Sequence, residues 1–153
     1  MNVKDIFSKN DLAIQETPYT CGPAALLNIF QLKGDFSHTE KELAKICNAR
    51  PKEGTTCRAM VQAAKKTGLQ VVEQKSGGSI RGIERNIDKG AYVIVCYQHL
   101  YSDDGHFGVI TQYDDKALYF RDPSFGFFRL RKKYFSKFWY GSGGAKRWYM
   151  AVK

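Results

Sequence analysis

The residues best suited to chemistry begin with Cys21, at the head of the apolar run CGPAALLNIFQL. Pro23 suits a first helical turn and Gly34 falls just past the run, so the spacing predicts a helix over 21–32. At its start, unpaired N–H groups and the positive end of the helix dipole stabilise a thiolate. The backbone N–H groups of Cys21 and Gly22 also suit an oxyanion, and Gly22 lets the main chain come close to a substrate. A small thiol buried at a helix start fits the same residues.

A thiolate nucleophile needs a base. Of the three histidines, His38 sits beside a predicted helix cap, His99 lies in a polar loop, and His106 opens a strand after a glycine. Asp114-Asp115-Lys116 reads as a hairpin turn between HFGVITQY and ALYFRD. Centred near Asp114, that turn puts His106 opposite Asp122 on one face of the sheet. A carboxylate there orients an imidazole and stabilises its charged form. A structural histidine beside a turn aspartate fits the pair as well. Gln15, in a short extended stretch broken by Pro18, can bring a side-chain amide to the oxyanion formed when a thiolate attacks an amide carbonyl. Tyr101 borders the same cleft, and Trp139 either lines a substrate groove or closes the core. Asp103, Asp104 and His106 are too close in one loop to supply a metal shell, so no metal and no cofactor are expected.

The elements that must position these residues follow in order. Ser37 and Glu40 form a capping box for a second helix with Leu43 and Ile46 on its apolar stripe. A third helix runs from Thr55 through CRAMVQAAKKT to Gly68. Then come a strand LQVVEQ, a short helix IRGIERNIDK stopped by Gly90, a buried strand AYVIVCY, the hairpin, a strand FFRLRK, an aromatic helix near Lys133–Trp139, and a last strand RWYMAV. Helices first and antiparallel strands later predict an α+β fold, with the N-terminal helices packed against a C-terminal antiparallel sheet and the helices on one side of it.

Length and composition set the outer bounds. The 153 residues, 43% hydrophobic and 25% charged, predict one globular domain over 1–153 and exclude a disordered chain. No apolar run approaches the roughly 18 residues of a membrane span, so no integral membrane segment is expected. The N-terminus lacks a signal-peptide pattern. The four cysteines form no CxxC pair, which argues for reduced thiols in a cytoplasmic setting. The formal charge of +9 is concentrated: eight basic and no acidic residues lie between Arg129 and Lys153, interleaved with aromatics. That segment reads as a solvated basic face over core aromatics, or as a surface for an acidic partner, an anionic membrane or nucleic acid. A monomer is expected.

Taken together, Gln15-x5-Cys21-Gly22-Pro23-Ala24-Ala25-Leu26, HFGVI at His106, and Asp122-Pro123-x-x-Gly126 resemble the bacteriocin-processing cysteine peptidases of the papain-like superfamily, which cut after a double glycine and are usually fused to an ABC exporter. The resemblance continues through Leu43–Ala44, Glu53–Thr56, Gly68-Leu69, and Phe138-Trp139 before Gly141. It implies a papain-like fold, Cys21 as nucleophile, His106 as general base and acid, Asp122 as orienter and Gln15 as oxyanion donor. It also implies hydrolysis of a peptide substrate through a thioester without a metal. Ending at Lys153 with no exporter, the chain is expected to be a stand-alone relative. Two other outcomes share these residues: acyl transfer or deamidation from the same thioester, and an inert module that binds peptide or nucleic acid.

Overall fold

In the computed structural model, which describes residues 12–99, 104–141 and 145–153, the apolar run after Thr20 forms helix α1, Cys21–Leu32. Every residue from Cys21 to Phe30 is buried. A helix apolar all round must be covered all round, and α1 lies between the sheet and helix α2, Glu40–Ile46. The cap of α2 is Thr39, whose hydroxyl accepts from the Glu42 N–H at 3.2 Å. The expected Ser37–Glu40 box does not form, because Ser37 turns back to Asp35 through its hydroxyl and its N–H. Thr39 and Glu42 keep the same S/T-x-x-E spacing two residues later. Helix α3, Cys57–Lys66, is capped by Thr56, and Gly68 ends it at φ +87°, a conformation that favours glycine.

Strand β1 is Val71–Lys75, followed by helix α4, Ile80–Asp88, with Ser79 as its cap. Then come β2 (Tyr92–Gln98), β3 (Gly105–Tyr113), β4 (Ala117–Asp122), β5 (Gly126–Arg131), helix α5 (Lys132–Phe138) and β6 (Tyr149–Val152). The strands make one six-stranded sheet in the order β1-β6-β2-β3-β4-β5, antiparallel throughout. The β3–β4 turn is as expected: Asp114 Oδ1 accepts from the N–H groups of Lys116 and Ala117, both at 2.8 Å.

Period-2 alternation divides the strands between two cores. Cys96, Phe107, Val109, Met150 and Val152 pack with α1, α2 and α3. Val95, Tyr97, Phe120, Tyr149 and Ala151 pack with Ile83 of α4 and Phe135 of α5. The sheet is therefore covered on both faces, which corrects the expectation of helices on one side only. Short helices such as α4 and α5 each bury a single apolar edge, and the sheet surface that the first three helices leave to them is the second face.

One buried polar cluster fixes α1 against the sheet. Asn28 of α1 is fully buried; its Oδ1 accepts from the Ala13 N–H at 3.0 Å and from Arg121 Nε of β4 at 2.8 Å. Its amide donates to the carbonyls of Ala13 and Ala24. Removing this side chain takes a buried acceptor from Arg121 Nε and from the Ala13 N–H. Asn28→Ala is expected to lower the unfolding free energy by roughly 2–4 kcal/mol. Urea denaturation followed by tryptophan fluorescence reads this directly, and an unchanged midpoint would contradict it.

Candidate active site

Helix α1 presents Cys21 as its first residue, 8% exposed. No side chain caps this helix: the Thr20 hydroxyl bonds back to Thr17 instead. The first N–H groups of α1 thus receive no cap from the Thr20 side chain. Gly22 does not face open space. A Cβ there would stand 2.8 Å from Met60 Sδ and 3.1 Å from Thr55 Cβ. Its small size therefore serves the packing of α1 on α3, a different reason from the close approach to substrate that its type suggested.

His106 lies at the start of β3 and is 2% exposed, with Asp122 fully buried at the end of β4. His106 Nε2 is 2.8 Å from Asp122 Oδ1, and the imidazole shares one cleft with Cys21. The pair meets by a different register from the one expected. Val109 pairs with Arg121 and Ile110 with Phe120, with a bulge between Ile110 and Gln112. This sets Gly108, not His106, across from Asp122, and His106 reaches the carboxylate diagonally on the same face. Glycine at 108 permits that reach, since a Cβ there would lie 2.6 Å from Asp122 Oδ2.

Three further donors hold the carboxylate. The Tyr97 hydroxyl donates to Oδ2 at 2.5 Å, and the N–H groups of Ser124 and Phe125 donate to Oδ1 at 2.9 and 3.1 Å. Burial opposes the charged imidazole of His106. The hydrogen bonds and charges of Asp122 and Cys21 outweigh it and raise the His106 pKa to about 9. At neutral pH the ring therefore favours the imidazolium.

Gln15 reaches the same place. Its backbone N–H donates to the Pro123 carbonyl at 2.9 Å, its Nε2 to the Thr17 carbonyl at 2.8 Å, and its Oε1 accepts from the Ser124 hydroxyl at 2.6 Å. Gln15, Cys21, His106 and Ser124 line one cleft of about 410 Å³ together with His99. On its other side Cys21 borders a second hollow of about 730 Å³, lined in part by Thr55, Cys57, Cys96, Phe107 and Trp148. The structure thus gathers Cys21, His106, Asp122 and Gln15. A thiol, an imidazole and a steadied carboxylate are group types that acyl transfer through a thioester draws on.

Trp139 is not brought there. It is 2% exposed, stacks on Phe135 at 5.0 Å and donates from Nε1 to the Trp148 carbonyl, so it closes the second-face core and lines no groove. Tyr101 lies outside the described residues. Sequence reasoning missed Tyr97, Ser124 and Asn28. Tyr97 sits in an unbroken apolar strand run, where nothing marks its hydroxyl as the partner of a carboxylate. Ser124 was readable only as a turn residue after Asp122-Pro123. Among the described residues no group of three or more His, Cys, Asp or Glu side chains could hold a metal ion, and no helix is long and apolar enough to cross a membrane.

The sequence matches the Peptidase C39 family model over residues 9–142. The chain belongs to the peptidase C39 family. Membership supports a cysteine peptidase. Similar sequences include an uncharacterized protein of Methanothermobacter marburgensis, 28% identical over 141 residues and covering 92% of this chain and 91% of the relative. Another, from Methanothermobacter thermautotrophicus, is 28% identical over 134 residues, covering 86% and 84%. Among solved structures, the C39 fold here is similar to the peptidase domain of Streptococcus ComA, a bi-functional ABC transporter involved in a quorum sensing pathway (TM-score 0.69, 21% identity, 93% of this chain and 95% of that one). It is also similar to a C39-like peptidase from Bacillus anthracis (0.66, 16%, 96% of each). A third is a double glycine motif protease from an AMS/PCAT transporter in complex with the leader peptide (0.65, 16%, 92% and 89%). Identities this low establish the papain-like α+β fold.

The other thiols of this C39 chain differ sharply from one another. Burial pushes Cys47 up to about 12. Cys57, at the first residue of α3, is drawn down by a hydrogen bond with Cys96 against the effect of its own burial, and Cys96 is driven far up by the same contact and by burial. Iodoacetamide at pH 8, read by peptide mapping, is therefore expected to label Cys21 and Cys57 and to spare Cys47 and Cys96. His106→Ala should slow labelling at Cys21 alone; a parallel loss at Cys57 would contradict the geometry.

Proposed function

We propose that this protein is a cysteine peptidase in which Cys21 is the nucleophile, His106 the general base and acid, Asp122 the orienter of the imidazole and Gln15 an oxyanion donor. The observation that carries the reading is that the buried Cys21 and His106 line one cleft while His106 Nε2 is held 2.8 Å from the buried Asp122 Oδ1. In the forward step the Cys21 sulfur attacks a peptide carbonyl carbon and the carbonyl electrons move to oxygen. His106 then gives its proton to the leaving amine as the C–N bond breaks, leaving a thioester. Water, deprotonated by the now neutral His106, attacks the thioester and frees the acid and the thiolate. The second proton of the Gln15 amide and the start of α1 are the donors available to the oxyanion.

Two hollows meeting at Cys21 give room for residues on both sides of the scissile bond. We infer a preference for cleavage after glycine pairs. It is supported by family membership and by a similar fold in a protein described as a double glycine motif protease.

A peptide series carrying Gly-Gly, Gly-Ala or Ala-Ala before one potential cleavage site, analysed by mass spectrometry, tests both levels of the reading. Cleavage of the Gly-Gly peptide alone supports the specificity. Cleavage of all three retains the peptidase and removes the preference. No cleavage of any, or amide products in place of acids when an amine is added, would overturn hydrolysis. Cys21→Ala should abolish turnover and Gln15→Ala should cost roughly 10²–10³-fold in kcat.

The pH profile follows from His106. Its pKa is raised, so the imidazolium is present below about pH 9 and lost above it, and kcat/KM should fall on the alkaline side near that value. Asp122→Asn removes the hydrogen-bonding charge while burial remains, so the alkaline limb should move toward lower pH. A limb that stays in place would show that Asp122 does not act on the ring.

A further inference from the structure

We propose that Ser124 is a positioning residue: its hydroxyl holds the Gln15 amide with the NH2 end in the cleft beside Cys21. The proposal rests on the peptidase reading for the role of Gln15 and extends it to a residue that the chemistry itself does not touch.

A glutamine amide has an accepting end and a donating end of nearly equal shape. Only the donating end helps an oxyanion; a carbonyl turned to the same point would repel it. One contact chooses between the ends and a second holds the choice. Gln15 Nε2 donates one proton to the Thr17 carbonyl, which can only accept, at 2.8 Å. The Ser124 hydroxyl donates to Gln15 Oε1 at 2.6 Å. Together they fix the amide at both ends and leave one Nε2 proton outside both bonds. Without the hydroxyl, Oε1 loses this donor, and the amide is held at one end only.

Ser124 is also placed to join the two arms of the site. Its N–H donates to Asp122 Oδ1 at 2.9 Å while its side chain reaches Gln15, 109 residues away in sequence. The two duties separate cleanly. The backbone bond persists when the side chain is shortened, and the segment is tied independently by the bond from Gln15 N–H to the Pro123 carbonyl. A serine-to-alanine change therefore perturbs the oxyanion arm and spares the imidazole arm.

The experiment compares the full chain as wild type, S124A, S124T, Q15A and the S124A/Q15A double variant. S124A is expected to lower kcat by roughly 10-fold with KM little changed, as the loss of an interaction strongest in the transition state does. S124T, which keeps a hydroxyl, should recover most of that loss. In the Q15A background S124A should cost nothing further. The iodoacetamide rate at Cys21 and its pH profile should be the same in S124A as in wild type, because alkylation needs no oxyanion donor. Independently of turnover, the Gln15 side-chain amide signals in a ¹⁵N–¹H NMR spectrum, assigned by their loss in Q15A, should move in S124A and return in S124T.

Equal, multiplying losses from S124A in both backgrounds, unmoved Gln15 signals, or a changed alkylation profile would each overturn the proposal. A wild-type protein that cleaves nothing would sink the peptidase reading, while the amide signals still decide the link between Ser124 and Gln15.

Discussion

A carboxylate wholly removed from water is the constraint around which this site is arranged. Asp122 has no exposure, and a bare charge in such a place would be prohibitively unstable. It is tolerated because four donors converge on its two oxygens: a phenol from β2, an imidazole from β3 and two main-chain amides from the turn after Pro123. These donors come from three separate stretches of chain, so the carboxylate also ties the central strands to the turn. The imidazole is secured in return. His106 is nearly as buried as its partner, and its positive form survives there only because Asp122 and Cys21 flank it. Reactivity and packing are here one arrangement, since neither ionised group is stable in the interior without the other.

Much of this was legible in the sequence where local chemistry decides the outcome. The bounds of α1 follow from an apolar run closed by Gly34, and those of β4 from Asp114 on one side and Pro123 on the other. The hairpin itself was readable, but its register was not. A bulge near Thr111 depends on how β3 packs against both layers, and no residue type there announces it. The face taken by α4 and α5 was equally hidden, because it depends on which sheet surface the first three helices leave bare. Tyr97 and Trp139 show the two directions of the same difficulty. Each is a large aromatic with one polar atom, and burial alone cannot tell a ligand of a carboxylate from a wedge in the core.

The same limit applies to the cysteines. Four identical side chains acquire different surroundings from their neighbours: one shares a cleft with an imidazole, one is sealed in apolar packing, and two line the larger hollow. The fold similarity to other C39 domains speaks for the scaffold. What the scaffold does is carried by the particular groups placed upon it. Here those groups include a serine and an asparagine with no chemistry of their own.

The Asn28–Arg121 contact spans 93 residues and Ser124–Gln15 spans 109, and β6 is inserted between β1 and β2. During synthesis the sulfur leaves the ribosome long before the histidine, the carboxylate or the strand that completes the sheet exists. Domains generally form as units while translation supplies only ~5–20 residues per second, so for several seconds the emerging polypeptide carries the thiol without its later neighbours. The long sequence separations thus mean that the cleft around the sulfur is assembled only when nearly the whole of this sheet has been made.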